Sequence, residues 1–211
     1  MLIGTQLAGF GAGGTASPVT LEFSAGALTP SGATTTHTFA SHAIGAPGAG
    51  RYVVVCVGCF AVAINSVTVN GGSTTSLVSL ANTANIRMFV TNVPVPTGTT
   101  ASIVVNIVSP SANVIMATYA LYDPQSTTPH DTKTTTTDNT ALNISVPAGG
   151  VCVGIGCGTP GANFTVSNGS EDYDINIPFN MATAHTTTTG TVGLTFDCSS
   201  TFYVAAAASF V

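Results

Sequence analysis

The chain reads as an all-β protein, an antiparallel two-sheet sandwich that is jelly-roll-like in form. Three observations predict this. Short runs of alternating apolar and polar residues recur along the sequence, separated by Gly, Pro, Asn and Asp, the pattern of half-buried strands and their turns. No segment keeps the three-and-four spacing of apolar residues that marks a packed helix. Two runs, residues 52–63 and 151–158, are apolar almost throughout, as expected of central strands covered on both faces. An immunoglobulin-type sandwich fits less well, because the chain is long for that fold and holds no core Trp. At 211 residues one β-sandwich domain over residues 17–211 is expected, since undivided sandwiches and barrels reach roughly 200 residues. Residues 1–16, rich in Gly and Ala and uncharged, read as an extended N-terminal arm.

The strand signals follow in order. Residues 19–23 alternate. Residues 34–39 are Thr-rich and have the look of a sheet edge. The apolar run 52–63 comes next, then the alternating stretch 65–70, which ends in Gly71-Gly72, a hairpin signal. Residues 75–80 and 86–93 follow, the latter stopped by Pro94, with a turn at Pro96-Thr97-Gly98. Residues 102–108 and 114–122 complete a middle block, broken at Asp123-Pro124. The polar, Thr-rich stretch 125–140 reads as a loop leading into an exposed strand. Residues 142–146 alternate and end at Pro147 and Gly149-Gly150, and 151–158 is the second strand buried on both faces. Residues 164–166, 173–177, 181–187, 192–196 and 202–210 supply the remaining strands.

Composition then narrows the function. Charged residues make up 5% of the chain, with three basic and eight acidic side chains and a net charge of −5. Soluble domains usually carry about 25–35% charge on their surfaces. Here Thr, Ser, Asn and Gly do the polar work, which repels neighbours weakly and suits a molecule packed against other subunits. Three scattered cations cannot neutralise a phosphate backbone, so no nucleic acid is expected as a partner. Anionic membranes are disfavoured for the same reason. No run of about 18 apolar residues is present, so no membrane helix is expected, and the first ten residues lack the basic start of a signal peptide. A hydrophobic content of 45% argues against disorder.

Candidate chemistry is sparse. Cys56 and Cys59 form a C-x-x-C inside a strand, and an offset of three sends them to opposite faces. Cys152 and Cys157, five apart, do likewise. With Cys198 they read as buried free thiols, a Cys56–Cys152 bridge being the alternative. The cluster Glu171-Asp172-Tyr173-Asp174 could form a weak calcium site or a solvated turn. On a regular strand Asp172 and Asp174 would share one side, with Tyr173 facing inward. His37, His42, His130 and His185 stand in no ligand spacing, and His130-Asp131 has no nucleophile motif beside it. No catalytic residue, metal or cofactor is expected. The sequons at Asn143, Asn163 and Asn168 read as chance in a chain so rich in Asn, Ser and Thr.

Several blocks resemble β-sandwich virion proteins of tailed bacteriophages. They run from Ile44-Gly45-Ala46-Pro47 through Arg51-Tyr52-Val53-Val54-Val55, and include Ser66-Val67-Thr68-Val69-Asn70-Gly71-Gly72 and Val95-Pro96-Thr97-Gly98-Thr99. They continue in Val146-Pro147-Ala148-Gly149-Gly150-Val151, in the acidic cluster, and in Val204-Ala205-Ala206-Ala207. The resemblance implies a structural protein of the particle, assembled in the host cytoplasm. Together with the low charge it leads to the expectation of a capsid decoration or cement protein. Such a protein would form a homotrimer and bridge copies of the major capsid protein. The arm residues Leu2, Ile3, Leu7 and Phe10 are the expected contacts, because a free tail has no use for them. The alternative is a tail-fibre or spike module that binds a host receptor or glycan through aromatics such as Tyr119, Tyr122 or Tyr173. A secreted hydrolase or lectin is a weaker third reading.

Overall fold

A computed structural model describes residues 18–29, 34–111, 113–159, 163–176, 179–198 and 202–211. The arm contacts Leu2, Ile3, Leu7 and Phe10 lie outside the described residues. The protein is an all-β, antiparallel sandwich, with sixteen strands among the described residues. The first eight are β1 (Thr20–Leu28), β2 (Thr34–Ala43), β3 (Arg51–Phe60), β4 (Ile64–Val69), β5 (Gly72–Ala81), β6 (Ala84–Thr91), β7 (Thr100–Ser111) and β8 (Val114–Tyr122). They form one sheet in the order β1-β8-β3-β6-β5-β4-β7-β2. The second eight are β9 (Asp131–Thr135), β10 (Leu142–Val146), β11 (Val151–Gly158), β12 (Thr165–Ser167), β13 (Ser170–Ile175), β14 (Asn180–Thr186), β15 (Gly190–Asp197) and β16 (Tyr203–Phe210). They form a five-stranded sheet, β13-β14-β11-β16-β9, and a three-stranded one, β10-β15-β12.

The sandwich is doubled. The eight-stranded sheet curls until its end strands β1 and β2 lie side by side, and it encloses a core of Val53, Val55 and Val57 from β3, Val67 and Val69 from β4, and Ile103 and Val105 from β7. Thr118 of β8 closes the seam: its Oγ1 donates to the Ala43 carbonyl at 2.8 Å and lies 3.0 Å from His42 Nε2 of β2. The outer face of β3, β6 and β8 is apolar as well. Val54, Cys56, Ile86, Met88 and Tyr119 pack there against Val153, Ile155, Ala206 and Phe210 of the five-stranded sheet. The far side of that sheet packs Cys152, Ala184 and Ala205 against Ile144, Leu194 and Phe196 of the three-stranded sheet. Four layers of strands therefore sandwich three cores.

This layering explains why β3, β8, β11 and β16 read as unbroken apolar runs. Each lies between two cores, so alternation of polar and apolar residues has no role there. Each fully buried Val, Ile or Phe contributes roughly 1.5–3 kcal/mol. The Ala run of β16 keeps both faces small, and Gly154 of β11 faces the rings of the outer layer, where a Cβ would collide with Leu194 and Phe196. The parity of the cysteines holds: Cys56 and Cys157 point into the central core, Cys59 into the N-terminal core and Cys152 into the C-terminal one. The hairpin expected from Gly71-Gly72 joins β4 to β5, with Asn70 and Gly71 as the turn residues and Gly72 opening β5; both turn residues have positive φ, 50° and 77°, the requirement of a type I′ turn. The Thr-rich β2 stands at a sheet end, as its composition predicts. The exposed strand expected near residues 125–140 is β9, which pairs with β16 at the rim of its sheet.

Candidate functional site

Some ionisable groups hold the fold together, some, such as Glu22 and His130, stand exposed, and one cluster borders a groove. Arg51, at the start of β3, is fully buried. Its Nε donates to the Val95 carbonyl at 2.8 Å. One terminal nitrogen donates to Gly45 and Ala46, both at 2.7 Å, and the other to Thr97 and Gly98, both at 2.9 Å. The guanidinium fork thus satisfies five carbonyls of two loops, 44–50 and 94–99, and no carboxylate is involved. Arg87 donates to Ser76, Ile64 and Asn65 and stacks over Phe89 at 5.1 Å. Lys133 pairs with Asp131 at 2.8 Å. All three cations are engaged within the chain.

The acidic cluster is where the structure departs from the sequence pattern. Glu171 of β13 stands opposite Ala184, and Tyr173 stands opposite Thr183. Asp172 is the extra residue of a β-bulge, which re-aims its side chain. The even spacing that would place Asp172 and Asp174 on one side is therefore lost. Asp172 turns to Tyr119, whose hydroxyl donates to Oδ2 at 2.9 Å, and to His185 of β14, whose Nδ1 lies 2.8 and 2.9 Å from the two carboxylate oxygens. Tyr173 packs against the central core. Asp174 accepts the Phe164 N–H at 3.2 Å, and Glu171 is exposed. Among the described residues no group of three or more His, Cys, Asp or Glu is placed to hold a metal ion.

Electrostatics act on His185 and Tyr119 of this trio. The hydrogen bond from His185 Nδ1 to the Asp172 carboxylate raises the His185 pKa against the opposing effect of burial. Burial, with nearby Cys56 and Asp172, pushes the Tyr119 phenol well above its usual range, so Tyr119 acts as a proton-bearing donor. The Asp172 side chain is 9% exposed and that of His185 is 28% exposed. The imidazole lines a groove of about 450 Å³ between the β12–β13 turn, the end of β14 and β15. Asn168, Ser170, Thr187, Thr191 and Val192 share that lining. Asn168 Nδ2 donates to the Gly193 carbonyl at 2.9 Å and ties the turn to β15.

The other sequence candidates fall elsewhere. His37 and His42 are buried, and desolvation lowers both pKa values. His130 is exposed, while the Asp131 beside it is occupied by Lys133 and by the Thr132 and Ser145 N–H groups. All five cysteines are buried thiols outside any disulfide. Burial pushes the Cys152 thiol up to about 12 and raises those of Cys56 and Cys157 further, so they act as small hydrophobes. The Cys56–Cys152 bridge does not form, because Cys56 points into the central core and Cys152 into the C-terminal one. The tyrosines offered as an exposed aromatic platform are also placed otherwise. Tyr119 is fully buried, Tyr122 donates from its hydroxyl to Ala46 and lies 3.0 Å from Glu22, and a Cβ at Gly26 would run into the Tyr173 ring.

The Asp172–His185–Tyr119 trio escaped the sequence pattern because its members are 13 and 53 positions apart and a bulge sets their meeting. Comparison with protein-family models, with curated proteins and with solved structures finds no match for the chain.

Proposed function

We propose that the protein is a structural component of a tailed-phage particle, a capsid decoration or cement protein that bridges copies of the major capsid protein. The observation that carries this reading is the charge economy of strands β1–β8. Residues 19–122 contain three charged side chains, Glu22, Arg51 and Arg87. Arg51 and Arg87 are committed to carbonyls and a ring, and Glu22 sits beside the Tyr122 hydroxyl. Apart from the exposed Val93 and Val108 and the Glu22 carboxylate, what this half offers to solvent is mainly hydroxyl and amide. On the outer face of β2, β7 and β4, Thr36 Oγ1 donates to Asn106 Oδ1 at 3.0 Å, and Asn106 Nδ2 donates to Ser66 Oγ at 3.2 Å. Such a face has little charge to desolvate when a neighbour covers it. The phage-like sequence blocks support the same reading, as does the internal engagement of every cation, which leaves no basic footprint for nucleic acid.

Each copy would add interface across capsomer boundaries, where specific contacts usually bury about 1,200–2,000 Å², and repetition over a lattice multiplies avidity. The test is imaging of intact particles at subunit resolution, with the copy number counted by quantitative mass spectrometry. A copy number that scales with head area is the expected result. A few copies at the tail would favour the fibre or spike alternative, and absence from the particle would overturn both.

A further inference from the structure

We propose that the groove beside His185 binds a neutral saccharide unit. The lining fixes the ligand class. Ser170, Thr187 and Thr191 offer hydroxyls and Asn168 an amide, while Val192 offers a small apolar contact. No Asp, Glu, Lys or Arg lines the groove. The only titratable group there is His185, and its Nδ1 is held by Asp172 from behind. That bond orients the ring and leaves Nε2 without a hydrogen-bond partner among the described residues.

When His185 is protonated, the carboxylate behind it cancels the charge, so the groove presents no net cation to an oxyanion; when it is neutral, Nε2 is a lone nitrogen donor, and among the described residues no group of three or more His, Cys, Asp or Glu is placed to hold a metal ion. An apolar ligand would strip water from the hydroxyls without replacing its hydrogen bonds, which costs free energy. A sugar ring has neither problem. Each of its hydroxyls both donates and accepts, matching Ser, Thr and Asn side chains, and Nε2 accepts when neutral and donates when charged. The volume of about 450 Å³ lies within the roughly 300–1,000 Å³ usual for small-ligand sites.

This inference does not rest on the shell role, since a protein absent from capsids could still bind sugar and a capsid component could fail to. The test is a titration of the full-length protein near neutral pH with free glucose, galactose, mannose and N-acetylglucosamine. Backbone and imidazole NMR shifts provide the readout, with glycerol and inorganic phosphate as controls. At least one hexose is expected to bind in the millimolar range and to move the resonances of His185 and residues 186–188. Thr187→Tyr fills the groove from an exposed position and is expected to abolish these shifts while leaving the melting temperature unchanged. His185→Gln is expected to weaken binding about five- to tenfold, the value of one hydrogen bond. Failure of all four sugars at about 100 mM, the weakest affinity worth the name, would overturn the proposal. So would equal binding of glycerol, tighter binding of phosphate, or sugar binding that survives Thr187→Tyr.

Discussion

Strands β1–β8 and strands β9–β16 are equal in number, yet residues 19–122 hold three charged side chains and residues 131–210 hold seven. The difference follows how each half ends its sheets. An open sheet edge exposes unpaired N–H and C=O groups and invites another strand. The N-terminal half brings its edges β1 and β2 together and fastens them through Thr118, and Glu22 of β1 is the one Asp, Glu, Lys or Arg on the two strands. The C-terminal half leaves β13 and β9 at the rims of its five-stranded sheet. On these two strands stand Glu171, Asp172, Asp174, Asp131 and Lys133, five of the eleven charges in the chain. Closure and charge are two answers to the same hazard, and the C-terminal half also sets its rim strand β9 beside β10 of the neighbouring sheet.

The sharpest way to break this comparison is to exchange one cation in each half. Arg51→Met strands five carbonyls in a buried site, and a loss of about 4 kcal/mol is expected, with a melting temperature roughly 10 °C lower. Lys133→Met removes a pair whose lysine is 42% exposed, and less than about 1 kcal/mol is expected. Urea denaturation of the two variants reads the contrast directly. Equal losses would mean that the guanidinium clamp is not what holds loops 44–50 and 94–99.

Titration separates the halves next. His42 has a lowered pKa in the fold. Its contribution is complete above the unfolded value of about 6.5 and is lost as pH falls from there toward the folded value. His185 has a raised pKa. Its contribution is complete below about 6.5 and is lost as pH rises through the folded value. Thermal melts across this window should therefore show His185→Gln destabilised more in acid than in base. His42→Gln should be relatively less acid-sensitive than the parent. The same slope in both variants would contradict the opposite roles.

The smallest effect expected on stability is at the charged edges. Lys133→Thr combined with Glu171→Thr should change unfolding free energy by about 1 kcal/mol or less, while light scattering shows increased self-association as the edges lose their guard. An unchanged association state would show that the edges are shielded by other means.

Much of this architecture was readable in the residues. The alternation in 65–70 and the Gly71 turn mark a hairpin because only a left-handed pair of residues closes it. The apolar runs of β3 and β11 announce burial on both faces, and the parity of Cys56 against Cys59 assigns each its core. The candidate site was far less legible. Asp172, His185 and Tyr119 each stand in sequence among ordinary strand residues, and regular alternation points Asp172 to the side of Asp174.

The sequence by itself determined the strand class, the turns, the central strands and the scarcity of charge, because these depend on local backbone preference and on the period-two pattern of burial. The tertiary structure alone decided the doubling of the sandwich, the five-carbonyl grip of Arg51 and the bulge that turns Asp172 toward His185. Each of these depends on which strands become neighbours, and one inserted residue in a ladder redirects a side chain without leaving any mark in composition or spacing.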